Sequence, residues 1–165
     1  MVGQKMIKMD ELAACFAAMP GIQNVSTYTQ SGNVLFDSTE TDELKLRTDI
    51  EHMLENCLGY KVQAILRVFG DLKKVVTNNP FDTIKTEDKP KLYVTFLTDI
   101  PPYDLRGSLG VYSNDAEYAR VVHREVYIYS GNYGKTCFSN SFIEKKLGLT
   151  ATTRNWATVN KILEL

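Results

Sequence analysis

The residues best placed to do chemistry sit at two helix starts near the end of the chain. Lys135 and Thr136 precede an apolar-periodic stretch that opens at Phe138, and Thr153, Arg154 and Asn155 lead into a second. The first turn of a helix carries backbone N–H groups with no intrahelical partner and the positive end of the helix dipole, so a cation beside it makes a surface for a small anion. The same residues also suit a purely structural role. Thr136, Ser139, Ser141 and Thr153 are good helix caps, Ser141-Phe142-Ile143-Glu144 has the spacing of a capping box, and Arg154 can meet a surface acid. Gly131-Asn132-Tyr133-Gly134-Lys135-Thr136 is not a phosphate loop, because two residues stand between its glycines where that loop needs four. A third polar set, Gln30, Ser31 and Asn33, surrounds Gly32 and serves equally as a ligand contact or as turn chemistry.

Nucleophiles and metal ligands are scattered. His52 falls within a helical pattern, and His123 falls in a turn beside Arg124 and Glu125, where a solvated role is expected. Cys15, Cys57 and Cys137 are odd in number and contain no C-x-x-C pair, which disfavours a disulfide framework and a zinc site. Cys15 and Cys57 lie on apolar helical stripes and read as small buried hydrophobes. No cofactor or metal is expected. Tyr127 and Tyr129 share one strand face, where they could stack bases, but the aromatic-basic consensus of RNA-binding sheets is missing and packing is the expectation.

The bulk composition sets the class. At 165 residues, 44% hydrophobic and 24% charged, the chain can bury one sizeable core or two small ones. A formal charge of -1 supplies no general attraction to nucleic acid or anionic lipid. No apolar run approaches the roughly twenty residues that span a bilayer, and no secretory leader is visible, so a cytoplasmic protein without a membrane partner is expected.

Periodicity then places the elements. Met9, Leu12, Ala13 and Phe16 predict a helix that Pro20-Gly21 stops. Residues 22–30 and 34–36 predict a hairpin, Leu46, Ile50, Met53, Leu54 and Cys57 a longer helix closed by Gly59, and residues 61–68 a further strand. After a short helix over 71–77, a charged stretch over 83–90 marks the best boundary. Beyond it come a strand over 91–97, a short helix over 103–109, strands over 117–122 and 126–129, and helices over 138–147 and 155–163.

The expected fold is α+β, with two ferredoxin-like (alpha-beta plait) subdomains in tandem over residues 1–82 and 83–165, the second with an extra C-terminal helix. The first lacks its opening central strand. That loss predicts either a fragmentary N-terminus or a rearranged sheet, with an exposed sheet edge through which the protein could self-associate.

Four stretches carry a family resemblance. They are 28–36 (Tyr-Thr-Gln-Ser-Gly-Asn-Val-Leu-Phe), Asn79-Pro80-Phe81, 142–148 (Phe-Ile-Glu-Lys-Lys-Leu-Gly) and 151–156 (Ala-Thr-Thr-Arg-Asn-Trp). In order and spacing the chain resembles the bacterial domain-of-unknown-function family 1697. The resemblance implies two alpha-beta plaits and no established activity. Members usually begin with a strand and an Arg-Gly-Ile-Asn-Val-Gly-Gly segment, of which Met1-Val2-Gly3-Gln4-Lys5 resembles only the end. Cys137 stands where the family tends to carry a lysine.

The sequence discloses no specific function, and the leading expectation is a non-catalytic or unassigned binding module for a small anionic ligand, its surface built from Lys135, Arg154 and Asn155. Two rivals are an enzyme using the same polar pocket, with Gln30, Asn33 and Thr153 around a substrate, and a protein–protein interaction module.

Overall fold

In the computed structural model of the chain, residues 7–81, 91–131 and 133–165 are described. The expected linker over 83–90, and with it the 82/83 boundary, lies outside the described residues, as does the opening of the chain before Ile7. Two compact units are present, Met1–Leu66 and Arg67–Leu165. The architecture is α+β, and no helix among the described residues is long and apolar enough to cross a membrane.

In the first unit, helix α1 (Met9–Ala17) turns Leu12 and Phe16 inward and ends before Pro20-Gly21, where Gly21 takes φ 78. Strands β1 (Ile22–Tyr28) and β2 (Asn33–Ser38) form an antiparallel hairpin with an irregularity between Gln23 and Ser26, where Asn24 has φ 54. Helix α2 (Glu43–Leu58) is capped by Asp42, which accepts from the amides of Leu44 and Lys45, and it closes on left-handed Gly59. The core gathers Leu12, Phe16, Ile50, Leu54, Val62 and Ala64, with the Phe16 and Phe36 rings 5.4 Å apart.

Two expectations fail here. Residues 61–68 form no strand beyond one bridge at Gln63, and β1 and β2 are the only paired strands of this unit among the described residues. A strand holds its shape through a neighbouring ladder, and none of the described residues runs one alongside this segment. Cys15 and Cys57 are not separate hydrophobes: a disulfide joins them, with Cα atoms 6.3 Å apart, and ties α1 to the last turn of α2.

The second unit opens with helix α3 (Phe69–Thr77) and holds a four-stranded antiparallel sheet of β3 (Leu92–Leu97), β4 (Glu117–Val122), β5 (Glu125–Ser130) and β6 (Ala151–Asn155), in the order β4-β5-β3-β6. Two 3-10 turns, Tyr103–Leu105 and Gly110–Tyr112, replace the short helix expected over 103–109. The sequence reading missed β6. Helix α4 (Asn140–Leu147) covers the sheet face bearing Leu97, Val126, Ile128 and Ala151, together with Phe138 and Leu109. Helix α5 (Trp156–Glu164) packs on α3 and lies against β3 and β6.

Side-chain alternation sends Tyr127 to the face opposite Val126 and Ile128, where its hydroxyl donates to the Val75 carbonyl of α3 at 2.6 Å. Burial, with the Glu125 carboxylate nearby, raises the pKa of that phenol. Tyr129 stacks on Tyr118 at 4.9 Å. Packing therefore accounts for both tyrosines.

Glu125 lies in β5 and not in a solvated turn. Its Oε1 accepts from Arg67 Nε at 2.9 Å, with both side chains less than a tenth exposed. Arg67 Nη2 also donates to the carbonyls of Leu97 (2.8 Å) and Arg124 (3.0 Å), and the guanidinium lies 5.5 Å from the Phe96 ring centre. The pair is buried, charged and fully hydrogen-bonded, the condition under which such a pair is tolerated in a core. The turn that precedes it places His123 at φ 57.

Candidate functional site

The sequence-derived candidates fall into three groups, and in each the polar atoms already serve the fold. Gln30 and Ser31 are exposed at the hairpin turn of the first unit. Asn33 Nδ2 donates to the Tyr28 carbonyl at 2.9 Å and to the hydroxyls of Thr29 and Ser31 at 3.1 Å each. Thr29 is left-handed at φ 60 and Gly32 at φ 84, so the amide of Asn33 braces a tight turn.

The loop before α4 contains an anion from within the protein. Glu117, the first residue of β4, accepts from Thr136 Oγ1 at 2.6 Å, Ser130 Oγ at 3.2 Å and the Cys137 amide at 3.1 Å. Thr136 Oγ1 in turn accepts from the Phe138 amide at 3.1 Å. Burial alone would raise the Glu117 carboxyl pKa, but the hydrogen bonds from Cys137, Thr136 and Ser130 outweigh it and hold the group below its usual range. The Cys137 thiol, partly buried and facing Glu117, is pushed up to about 11 and stays protonated at neutral pH. Lys135 is exposed beside this cluster.

The third group lies on β6 and the start of α5. Thr153 Oγ1 is 2.7 Å from Thr95 Oγ1 and donates to Asn140 Oδ1 at 3.1 Å. Asn140 Nδ2 reaches the Ala151 carbonyl at 2.9 Å, and Glu144 Oε1 accepts from the Ala151 amide at 3.0 Å. Glu144 is thus turned to β6 and not to a capping box at Ser141; the cap of α4 is Ser139, whose hydroxyl accepts from the Phe142 amide. Arg154 lies in the strand and not in a helix start. Its Nη1 donates to Thr152 Oγ1 at 2.7 Å and to the Thr153 carbonyl at 2.9 Å, and burial pulls its pKa down. Asn155 Oδ1 caps α5 by accepting from the Thr158 amide at 2.7 Å.

A concavity lies elsewhere, in the first unit, and no sequence motif points to it. An open groove of about 1180 Å³ runs between α1 and α2 of the first unit. Its apolar wall includes Ile7, Met19, Met53 and the Cys15–Cys57 bridge, and Glu11, Asp49, His52 and Asn56 supply polar groups. Ala14 and Ala18, one helical turn apart, keep the wall low on the α1 side. A smaller recess of about 370 Å³, lined by Ser38, Thr39, Glu40 and Lys45, shares Met19, Pro20 and Asp49 with it. Two carboxylates face the large groove, and its described lining contains no lysine or arginine. The spacing of alanines on an amphipathic helix is the one sequence signal, and it is shared by many buried helix contacts.

Among the described residues no group of three His, Cys, Asp or Glu side chains could hold a metal ion. The model of a family described as proteins of unknown function (DUF1697) matches residues 1–127. No curated protein and no solved structure matches the chain.

Proposed function

The chain belongs to the DUF1697 family of proteins of unknown function, and from that premise we propose that it is a non-catalytic binding module whose ligand occupies the groove between α1 and α2. The observation that carries this reading is the groove itself: an apolar wall of methionine, isoleucine and disulfide beside polar side chains, in an open groove somewhat larger than the usual small-molecule site. Glu11 and Asp49 place two carboxylates on the groove, with Lys45 acting on Asp49 from the adjoining recess, so the surplus of negative charge rests on Glu11 and favours an amphipathic ligand with a positive charge. This departs from the anionic ligand expected from the sequence. The donors assembled for that anion are engaged by Glu117, by Thr152 and the Thr153 carbonyl, and by the cap of α5.

The enzyme reading has less support. Asn33 and Thr153 are committed to turn and sheet contacts, and the Cys137 thiol is held protonated. For the second unit, the all-antiparallel order β4-β5-β3-β6 supports an alpha-beta plait in which the 3-10 turns stand in for one helix. An interaction module is the second reading there, since Tyr103 and Val111 of that segment are 86% and 82% exposed.

Thermal denaturation with matched six-carbon probes tests the groove. Hexylamine should raise Tm, hexanoate should not, and Glu11→Gln with Asp49→Asn should abolish the preference. Stabilisation by hexanoate alone would overturn the reading and return attention to the cationic residues of the second unit.

A further inference from the structure

We propose that Cys57 is a site of thiol–disulfide exchange, at which a small aminothiol opens the Cys15–Cys57 bridge by way of a mixed disulfide on Cys57. The two ends of the bridge differ in access. Cys15 is 6% exposed on the inner side of α1, whereas Cys57 is exposed in the last turn of α2. Exchange proceeds by attack of a thiolate on one sulfur with departure of the other, so access to the attacked sulfur is a first requirement. The arrangement directs attack to Cys57 Sγ.

Both cysteines line the α1–α2 groove, which gives the incoming thiol a path and a wall to rest against. Glu11 and Asp49 share that lining. Their carboxylates repel an anionic thiol and attract a cationic one, which selects an aminothiol over a mercaptocarboxylate.

The thiolate sulfur forms a bond to Cys57 Sγ, the Cys57–Cys15 bond breaks, and its electron pair leaves on Cys15 Sγ, which takes a proton from water. A second thiolate attacks the outer sulfur of the mixed disulfide, releasing Cys57 as a thiolate and the small thiol as its own disulfide. Across both steps two small thiols are oxidised and the protein bridge is reduced. The inference does not require the groove to bind a ligand: a groove that ignores hexylamine still leaves Cys57 open to attack.

The test uses the full oxidised chain with cysteamine or 3-mercaptopropionate, each rate being divided by that thiol's own rate with an uncharged small disulfide so that intrinsic nucleophilicity cancels, followed by acid quenching, alkylation and peptide mapping by mass spectrometry. Before any thiol is added, Cys137 should be the one cysteine that alkylates. Cysteamine should then appear on Cys57, with Cys15 newly alkylated, and its normalised rate should exceed that of 3-mercaptopropionate several-fold in low salt, the gap closing in high salt. Cys15→Ser should leave Cys57 fast to alkylate, and Cys57→Ser should leave Cys15 slow. The map on the unmutated chain does not depend on either variant folding. An adduct on Cys15, equal normalised rates for the two thiols in low salt, or alkylation of all three cysteines at the outset would overturn the proposal.

Discussion

The two units solve the same problem, fixing a few helices on a small antiparallel sheet, by different means. Among its described residues the first has a two-stranded hairpin and a modest core, and a covalent bridge ties its helices together. The second has four hydrogen-bonded strands, packing on both sheet faces, and polar pins at Arg67–Glu125 and Thr95–Thr153–Asn140. A hairpin alone is marginal in water, whereas a wider sheet with covered faces stands without a staple. In the described residues the unit with less sheet carries the disulfide and an open groove, while the unit with more sheet spends its polar groups internally, which leads to the expectation that the first leans on its bridge.

Breaking the bridge should have the largest effect and should fall on one unit. The cysteines are 42 residues apart, and closing a loop of that length constrains the unfolded chain by about 4 kcal/mol on the chain-entropy model. Replacing both with serine should therefore lower hydrogen-exchange protection at Leu12, Ile50 and Leu54 while sparing Val94 and Ile128; equal loss in both sets would erase the distinction.

Glu125→Gln tests the opposite unit. It strands the Arg67 guanidinium without a countercharge in a buried site, at a cost near the lower end of the range for broken buried pairs, about 3 kcal/mol, because the amide oxygen still accepts. Denaturant unfolding followed through amides of β3 and β5 should register it, with α1 and α2 unchanged.

Smaller effects sharpen the comparison at the helix ends. Asn155→Ala removes the cap of α5 and should cost about 1 kcal/mol in the second unit, and Asp42→Ala a similar amount in the first. Cys137 supplies a pH signature. Its folded pKa of about 11 lies above its ordinary 9.0, so the folded state holds the proton more tightly. The contribution is complete below pH 9.0 and is lost as pH rises through about 11. Cys137→Ser should flatten that alkaline decline in the second unit and leave the first unit's profile as it was.

Local pattern carried the sequence reading a long way. The apolar spacing of Leu12 and Phe16, the Gly59 stop of α2, and the apolar run through 91–97 each report on neighbours within a turn or a pleat. What escaped depends on partners far along the chain. Cys15 meets Cys57 across 42 residues with no spacing motif, and Arg67 meets Glu125 across 58. Residues 61–68 have strand composition without a described ladder beside them, and β6 is too short and threonine-rich to stand out before α5. The candidate site failed for a related reason. Thr136, Thr153 and Asn155 do have the chemistry to receive or hold a ligand, but Glu117, Asn140 and the Thr158 amide reach them first in the fold.

The most direct test is a titration of the isotope-labelled chain with hexylamine, followed by amide chemical shifts. The account predicts saturable shifts at Ala14, Ala18, His52 and Asn56 along the α1–α2 groove. Shifts centred instead on Lys135, Arg154 and Asn155, or none that saturate, would contradict it.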